Sequence, residues 1–181
     1  MEERTLDSKQ IYEGRIVGLR VDTVVLPGGG ETTREVVAHQ ECVAIVAIDA
    51  ADNAILVRQF RYALGKELLE IPAGGIEPGE QPLHSAIREL EEETGYTAGR
   101  MERLGGFYSS PGYSTEFLHL FLATELQKAA AAPREDEIIE VVPIPLAKIP
   151  GLIVSGKVCD AKSIAGFFAL SLRLEKMRGE D

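Results

Sequence analysis

One stretch limits the fold more than any other. Residues 42-CVAIVAID-49 run seven apolar positions before the first charge. A strand with one wet face alternates apolar and polar residues, because successive side chains point to opposite faces. A run without alternation predicts a strand buried on both faces. The simplest architecture that supplies this is a mixed sheet with helices packed on it.

The rest of the chain supplies the other strands and the helices. Residues 9–40 read as a β meander. In it, 16-IVGLRVDTVVLP-27 turns at 28-GGGE-31 into 32-TTREVVAH-39. The three glycines read as a hairpin turn and not a phosphate loop, since no Lys-Ser/Thr follows and both flanks are strands. A strand is predicted over 54–62 after an Asp-Asn turn, and a short one over 67–75 ending in a Pro/Gly loop. A helix is predicted over 80–96 and a strand pair around 103–110 and 115–124. Residues 125–137 start as a short helix or loop and end acidic, and 138–144 form a further strand. Residues 160–178 read as an amphipathic helix, with Asp160 at the N-cap and Arg173, Lys176 and Arg178 in the C-terminal turns. There is no internal repeat.

Composition narrows the classes. A chain of 181 residues, 45% hydrophobic, fits one domain with a real core, or one domain and a small extension. A formal net charge of −10 argues against nucleic-acid binding, which needs basic patches. It leaves room for an anionic substrate if a cation lies between. Cys42 and Cys159 are far apart and in no metal-like spacing, so free thiols in a reducing cytosol are expected. The polar start MEERTLDSKQ is no signal peptide, and no apolar run reaches the ~20 residues of a membrane span. A soluble, cytoplasmic protein is the expectation.

The densest charge lies in 88-RELEEETG-95. Glu89 pairs with Glu92 and Glu93 at helical spacings of three and four. Such like-charge pairs destabilise a helix by roughly 0.2–0.5 kcal/mol each, and the C-terminal end of the helix dipole disfavours anions. With Pro82 in the first turn and Gly95 at the stop, ~100° per residue puts Leu83, Ala86, Ile87 and Leu90 on one flank. That flank is predicted to pack on the sheet. Glu89, Glu92 and Glu93 share another flank, and Glu91 points elsewhere. A solvated acidic face is the simpler reading. Two features favour more. The acids converge on one stripe, and the glycine-rich segment 73-AGGIEPGE-80 brings backbone carbonyls near it. Carboxylates with a carbonyl make an all-oxygen site suited to Mg²⁺ or Mn²⁺.

The same residues carry a resemblance. Gly74, Glu80, Arg88-Glu89-Leu90, Glu92-Glu93, Gly95 and Tyr96 reproduce the fixed positions of the Nudix box. The chain resembles Nudix hydrolases, which cleave a nucleoside diphosphate linked to a further group. The resemblance implies an α/β/α sandwich with a mixed sheet over 41–181, and an N-terminal β extension over 1–40. It implies Glu89, Glu93 and the Ala73 carbonyl as metal ligands, with Glu92 a further ligand or a base-assisting group. Arg88 would orient a glutamate of the box, in keeping with its spacing to Glu92; a plain surface ion pair is the alternative. Glu80 and Gly74 would shape the loop. Two or more Mg²⁺ or Mn²⁺ ions are implied.

Pro111, sixteen residues after Gly95 and inside 109-SSPGYSTE-116, is similar to the ADP-ribose pyrophosphatase group. So are 57-VRQFRY-62, 67-ELLEIPAGG-75 and the β extension. That group implies a homodimer with substrate between subunits. Arg34 and Arg61 would contact phosphate or ribose, Glu116 the substrate, and Tyr12 would stack on adenine. Glu137 would be a metal ligand or the catalytic base, with Glu135 its rival. Arg34 balancing a surface acid, Tyr12 packing at an edge, and 135-EDE-137 as solvated loop are the competing readings; His84 and His119 read as structural. The expected reaction is hydrolysis of ADP-ribose to AMP and ribose 5-phosphate. Its rivals are another nucleoside diphosphate sugar or a dinucleotide, such as GDP-mannose or NADH, and a non-catalytic regulator. The last would be expected to lack box carboxylates or to carry a DNA-binding segment.

Overall fold

The apolar run forms β4 (Cys42–Ala47) in a computed structural model of the protein, which describes residues 2–129 and 138–179. Val43 to Ala47 are all at most 1% exposed. Their side chains alternate between two cores, as the strand period of two requires. Ala44 and Val46 face one core, with Leu118, Leu120 and Leu122 of β9 (Phe117–Lys128) and Phe167 and Leu170 of α3 (Ala161–Gly179). Val43, Ile45 and Ala47 face the other, with Phe121, Ala123 and Ala86 and Leu90 of α1 (Pro82–Thr94). Helices thus cover the sheet on both faces. Each fully buried aliphatic side chain contributes about 1.5–3 kcal/mol to holding these layers together.

Packing divides the described chain into two compact units, 42–107 with 118–181, and 1–41 with 108–117. In the larger unit one sheet has the order β7-β4-β9-β8, where β7 is Ala73–Gly75 and β8 is Tyr96–Tyr108. β4 runs parallel to β9 and antiparallel to β7, which makes the sheet mixed. A second sheet has the order β10-β5-β6, from β5 (Asn53–Arg61), β6 (Lys66–Glu70) and β10 (Ile139–Pro145), with antiparallel pairs. In α3, Asp160 Oδ1 accepts from the Ser163 backbone N–H at 3.1 Å, the N-cap bond expected of that residue.

The smaller unit is a three-stranded antiparallel sheet of β1 (Arg4–Glu13), β2 (Val17–Val25) and β3 (Glu31–His39). The glycine triplet lies in the turn between β2 and β3, closed by Gly29 N–H to Leu26 O at 3.0 Å. Residues 113–115 bond along β3 through Val37. Every residue of β1 is exposed.

Four expectations change. Residues 73–75 are not loop but strand β7, because their backbone pairs with β4 although their side chains give no pattern. Residues 125–128 continue β9 instead of starting a helix, so sheet pairing overrides helix propensity there. β1 begins at Arg4, ahead of the predicted residue 9. A short helix α2 (Ile149–Val154), not anticipated, buries Ile149 in the first core. Both cysteines are free thiols. No described helix is long and apolar enough to cross a membrane.

Candidate active site on α1

Helix α1 begins with Pro82 in its first turn and stops at Gly95, whose φ is 67° and whose N–H bonds Glu91 O at 2.9 Å. Its buried residues are Ser85, Ala86, Leu90, Glu93 and Thr94. Leu83 and Ile87, expected on the packing flank, are 42% and 41% exposed. The buried stripe is rotated toward the acids. At ~100° per residue, Glu93 lies about 20° and Glu89 about 60° to one side of Ala86, while Ile87 lies about 100° to the other. Glu93 is therefore inside the packed stripe at 7% exposure, and Glu89 borders it.

Strand β7 meets that border. A Cβ on Gly74 would fall 2.1 Å from the Glu89 carboxyl carbon, so only glycine admits this approach. One residue earlier, the Ala73 N–H donates to Glu93 Oε2 at 2.9 Å. Ser85 Oγ bonds the Gly75 carbonyl at 3.3 Å. The carboxylates of the helix and the backbone of 73–75 thus share one small space.

Arg88 ties this space together. Its Nε and Nη2 grip Glu80 at 3.0 and 2.9 Å, and Nη2 also donates to Gly75 O at 3.0 Å. Nη1 donates to Glu89 Oε1 at 2.6 Å and Glu92 Oε2 at 3.0 Å. The Arg88 hydrogen bond is the main reason that the Glu80 carboxyl is held down at about 2, against an ordinary 4.5. In return, Glu80 pushes the guanidinium further up. Magnitudes decide what this does for the helix. The two like-charge pairs cost about 1 kcal/mol or less together. One hydrogen bond to a charged group contributes about 1.5–3 kcal/mol. Arg88 alone offsets the repulsion, so folding of α1 does not require a cation. What remains is an excess: one guanidinium faces Glu80, Glu89 and Glu92, with Glu93 next to them. An all-oxygen, net-negative donor set, approached closely by backbone, fits a hard dication.

Arg61, at the end of β5, is held by Glu70 at the end of β6. Arg61 Nη2 lies 2.5 Å from Glu70 Oε2, and Nε lies 3.2 Å from both oxygens. Glu93 is close enough to add its field to those of Glu70 and Asp160 in raising the Arg61 pKa. Glu70, Lys162 and Ser163 did not stand out in the sequence. The available signal was a lone acid inside the apolar stretch 68-LLEIPA-73, which demands a buried cation; its partner Lys162 lies 92 residues away.

The other expected residues fall elsewhere. Tyr12, Arg34 and Glu116 belong to the smaller unit. Tyr12 is 57% exposed on β1. Arg34 on β3 pairs with Glu3 at 2.7 Å, the surface balancing weighed as its competing reading. Glu116 Oε1 lies 3.7 Å from His39 Nδ1. Glu137 and its rival Glu135 lie outside the described residues. His84 is exposed on α1. His119 lines a concavity of about 430 Å³ with Pro82, Leu83, Arg103 and Phe121, on the Leu83 flank.

The NUDIX domain family matches residues 38–164. The chain belongs to the Nudix family. A second family, the nucleoside diphosphate sugar hydrolase N-terminal domain, matches residues 3–37 of this Nudix protein. It is 41% identical over 175 residues to an ADP-ribose pyrophosphatase of Bacillus subtilis, covering 96% of this chain and 95% of that one. It is also 41% identical over 174 residues to a methanol dehydrogenase activator of Bacillus methanolicus, covering 95% and 94%. A solved ADP compounds hydrolase superposes with a TM-score of 0.88 over 98% of this chain and 96% of that one. At 23% identity, that likeness speaks for the Nudix fold.

Proposed function

We propose that this Nudix protein hydrolyses the pyrophosphate bond of ADP-ribose to AMP and ribose 5-phosphate, with Mg²⁺ or Mn²⁺ as cofactor. The observation that carries the reading is the convergence of Glu89 and Glu93 on the backbone of Ala73 and Gly74, with Arg88 joining Glu89 to Glu92. The full-length similarity to the Bacillus subtilis ADP-ribose pyrophosphatase supports the choice of substrate.

Glu89, Glu93 and the Ala73 carbonyl would hold the cations, and Glu137 is proposed to join them. When bound, such ions lower the pKa of water and stabilise negative charge on phosphoryl oxygens. The chain does the rest. Arg88 holds the Glu89 and Glu92 carboxylates in place through its Nη1. The Ala73 N–H fixes Glu93. Arg61 presents the edge of its guanidinium that Glu70 does not use to a phosphate oxygen. A water oxygen attacks one phosphorus, the bond to the bridging oxygen breaks, and Glu92 or Glu137 takes the proton of the water. Arg34 and Glu116 are proposed to contact the substrate, and Tyr12 to stack on its adenine.

The chain is proposed to act as a cytoplasmic homodimer joined through its extension over 1–40, with the Nudix domain over 41–181 and no nucleic-acid or membrane partner. The exposed edge strand β1 supports this, since a long unpaired edge is a ready surface for a second chain.

A second reading, another nucleoside diphosphate sugar such as GDP-mannose, draws on the family matched by residues 3–37. One screen decides between them: ADP-ribose, GDP-mannose, NADH and coenzyme A with Mg²⁺, products identified by mass. AMP and ribose 5-phosphate formed fastest is the expected outcome. Faster release of GMP or of NADH fragments overturns the substrate assignment.

A further inference from the structure

We infer that Lys162 and Ser163, at the start of α3, are positioning residues for the reaction: they clamp Glu70 and Ile71, and through them set Arg61 and Ala73 against Glu93. The inference rests on the proposed hydrolysis at the α1 site.

The clamp joins two consecutive residues to two consecutive residues. Lys162 Nζ donates to Glu70 Oε2 at 2.5 Å, and Ser163 Oγ accepts from the Ile71 N–H at 2.9 Å. Glu70 is 1% exposed, Ser163 is fully buried, and the Lys162 side chain is 14% exposed. Lys162 is itself steadied by Asp160 Oδ1 at 2.9 Å, the same oxygen that caps α3 on the Ser163 N–H. The helix start and the clamp are therefore one structure.

Its effect reaches the site along the chain and through the side chain. Along the chain, the Pro72 carbonyl accepts from the Ile45 N–H at 2.9 Å, and the Ala73 N–H donates to Glu93. Each residue from 70 to 73 is thus anchored by a separate bond, and the last two fix the peptide plane that carries the Ala73 N–H onto Glu93. Through the side chain, Glu70 occupies Nε and Nη2 of Arg61. Among the described residues Nη1 makes no hydrogen bond, so the fork has one edge held and one edge presented. Burial pushes the Glu70 carboxyl up, and the Arg61 and Lys162 contacts more than reverse it, so Glu70 stays ionised. Lys162 is the second cation on Glu70, and it shares Oε2 with Arg61 Nη2, so the carboxylate that holds Arg61 is itself held from α3.

The test uses the full-length protein, with Lys162→Met, Lys162→Arg and Ser163→Ala. Misplacement of reacting groups by about 1 Å costs up to roughly a hundredfold in rate. Lys162→Met and Ser163→Ala should each lower kcat on ADP-ribose about tenfold or more, with KM moving less than about threefold. Lys162→Arg should recover most of the loss. Amide exchange by NMR gives a readout independent of turnover. Ile71 and Ala73 should lose protection in both variants while Val46 and Ala123 keep theirs. If Ser163→Ala does not fold, the two Lys162 variants carry the test. Unchanged kcat, or a loss of kcat with unchanged Ala73 protection and no recovery in Lys162→Arg, overturns the clamp. If the wild type fails to cleave ADP-ribose but cleaves another diphosphate, the substrate assignment fails, and the same kcat and exchange measurements on that substrate test the clamp.

Discussion

Arg88 grips both carboxylate oxygens of Glu80, at 2.9 and 3.0 Å, across eight residues of sequence. This fork closes the loop that leads from β7 into α1, and its strength shows in the pH dependence it confers. The folded pKa of Glu80 is about 2, below the ordinary 4.5. A depressed carboxyl contributes stability that is fully present above the unfolded pKa and is lost as pH falls through the folded one. Acid unfolding of the wild type should therefore steepen between about pH 4.5 and 2. Glu80→Gln should flatten that interval and lower stability at neutral pH. Circular dichroism across the range checks it; superimposable curves would mean the fork contributes nothing.

Gly74→Ala should lower activity sharply while leaving the fold. The new methyl group would meet the Glu89 carboxyl at 2.1 Å and must displace it. The strand pairing of Gly74 with Val43 needs only backbone and survives. A loss of kcat of roughly a hundredfold with an unchanged circular dichroism spectrum is expected. A variant of normal activity would separate Glu89 from the reaction.

These residues also show what the sequence made legible. The two-faced strand at 42–47 was readable because burial on both sides removes alternation, a local signal. The acid stripe was readable from helical spacing and from the family motif. The orientation of α1 was not. Leu83 and Ile87 outscore Glu93 in hydrophobicity, yet Glu93 is buried and they are exposed, because a backbone N–H from β7 satisfies the carboxylate. That donor belongs to a three-residue strand with no side-chain pattern. The Glu70–Lys162 pair was illegible for a related reason: each partner is ordinary alone, and only the fold brings them to 2.5 Å.

Arg34 offers a clean separation of roles. Its pair with Glu3 is exposed, where water and salt screen the attraction. Arg34→Ala should leave Tm almost unchanged. If Arg34 binds substrate, KM for ADP-ribose should rise about tenfold with little change in kcat, as expected for lost ground-state binding. An unchanged KM would leave Arg34 as a surface partner of Glu3 only.

The edge strand β1 predicts the oligomeric state. Leu6, Ile11 and Tyr12 are 43%, 50% and 57% exposed on it. Light scattering after size exclusion should give twice the 19.7 kDa chain mass. Ile11→Lys should shift the protein toward monomer, since charge on an edge blocks strand pairing. A monomeric wild type would remove the dimer from the account.

The central claim is that Glu89 and Glu93 hold cations that act on a diphosphate. The most direct measurement is calorimetric titration of Mg²⁺ into wild type and the Glu89→Gln/Glu93→Gln double variant, with ADP-ribose products followed by mass on both. A saturable heat and release of AMP and ribose 5-phosphate by the wild type, both absent from the double variant, is the predicted result. Equal heats, or AMP released by the variant at the wild-type rate, would contradict it.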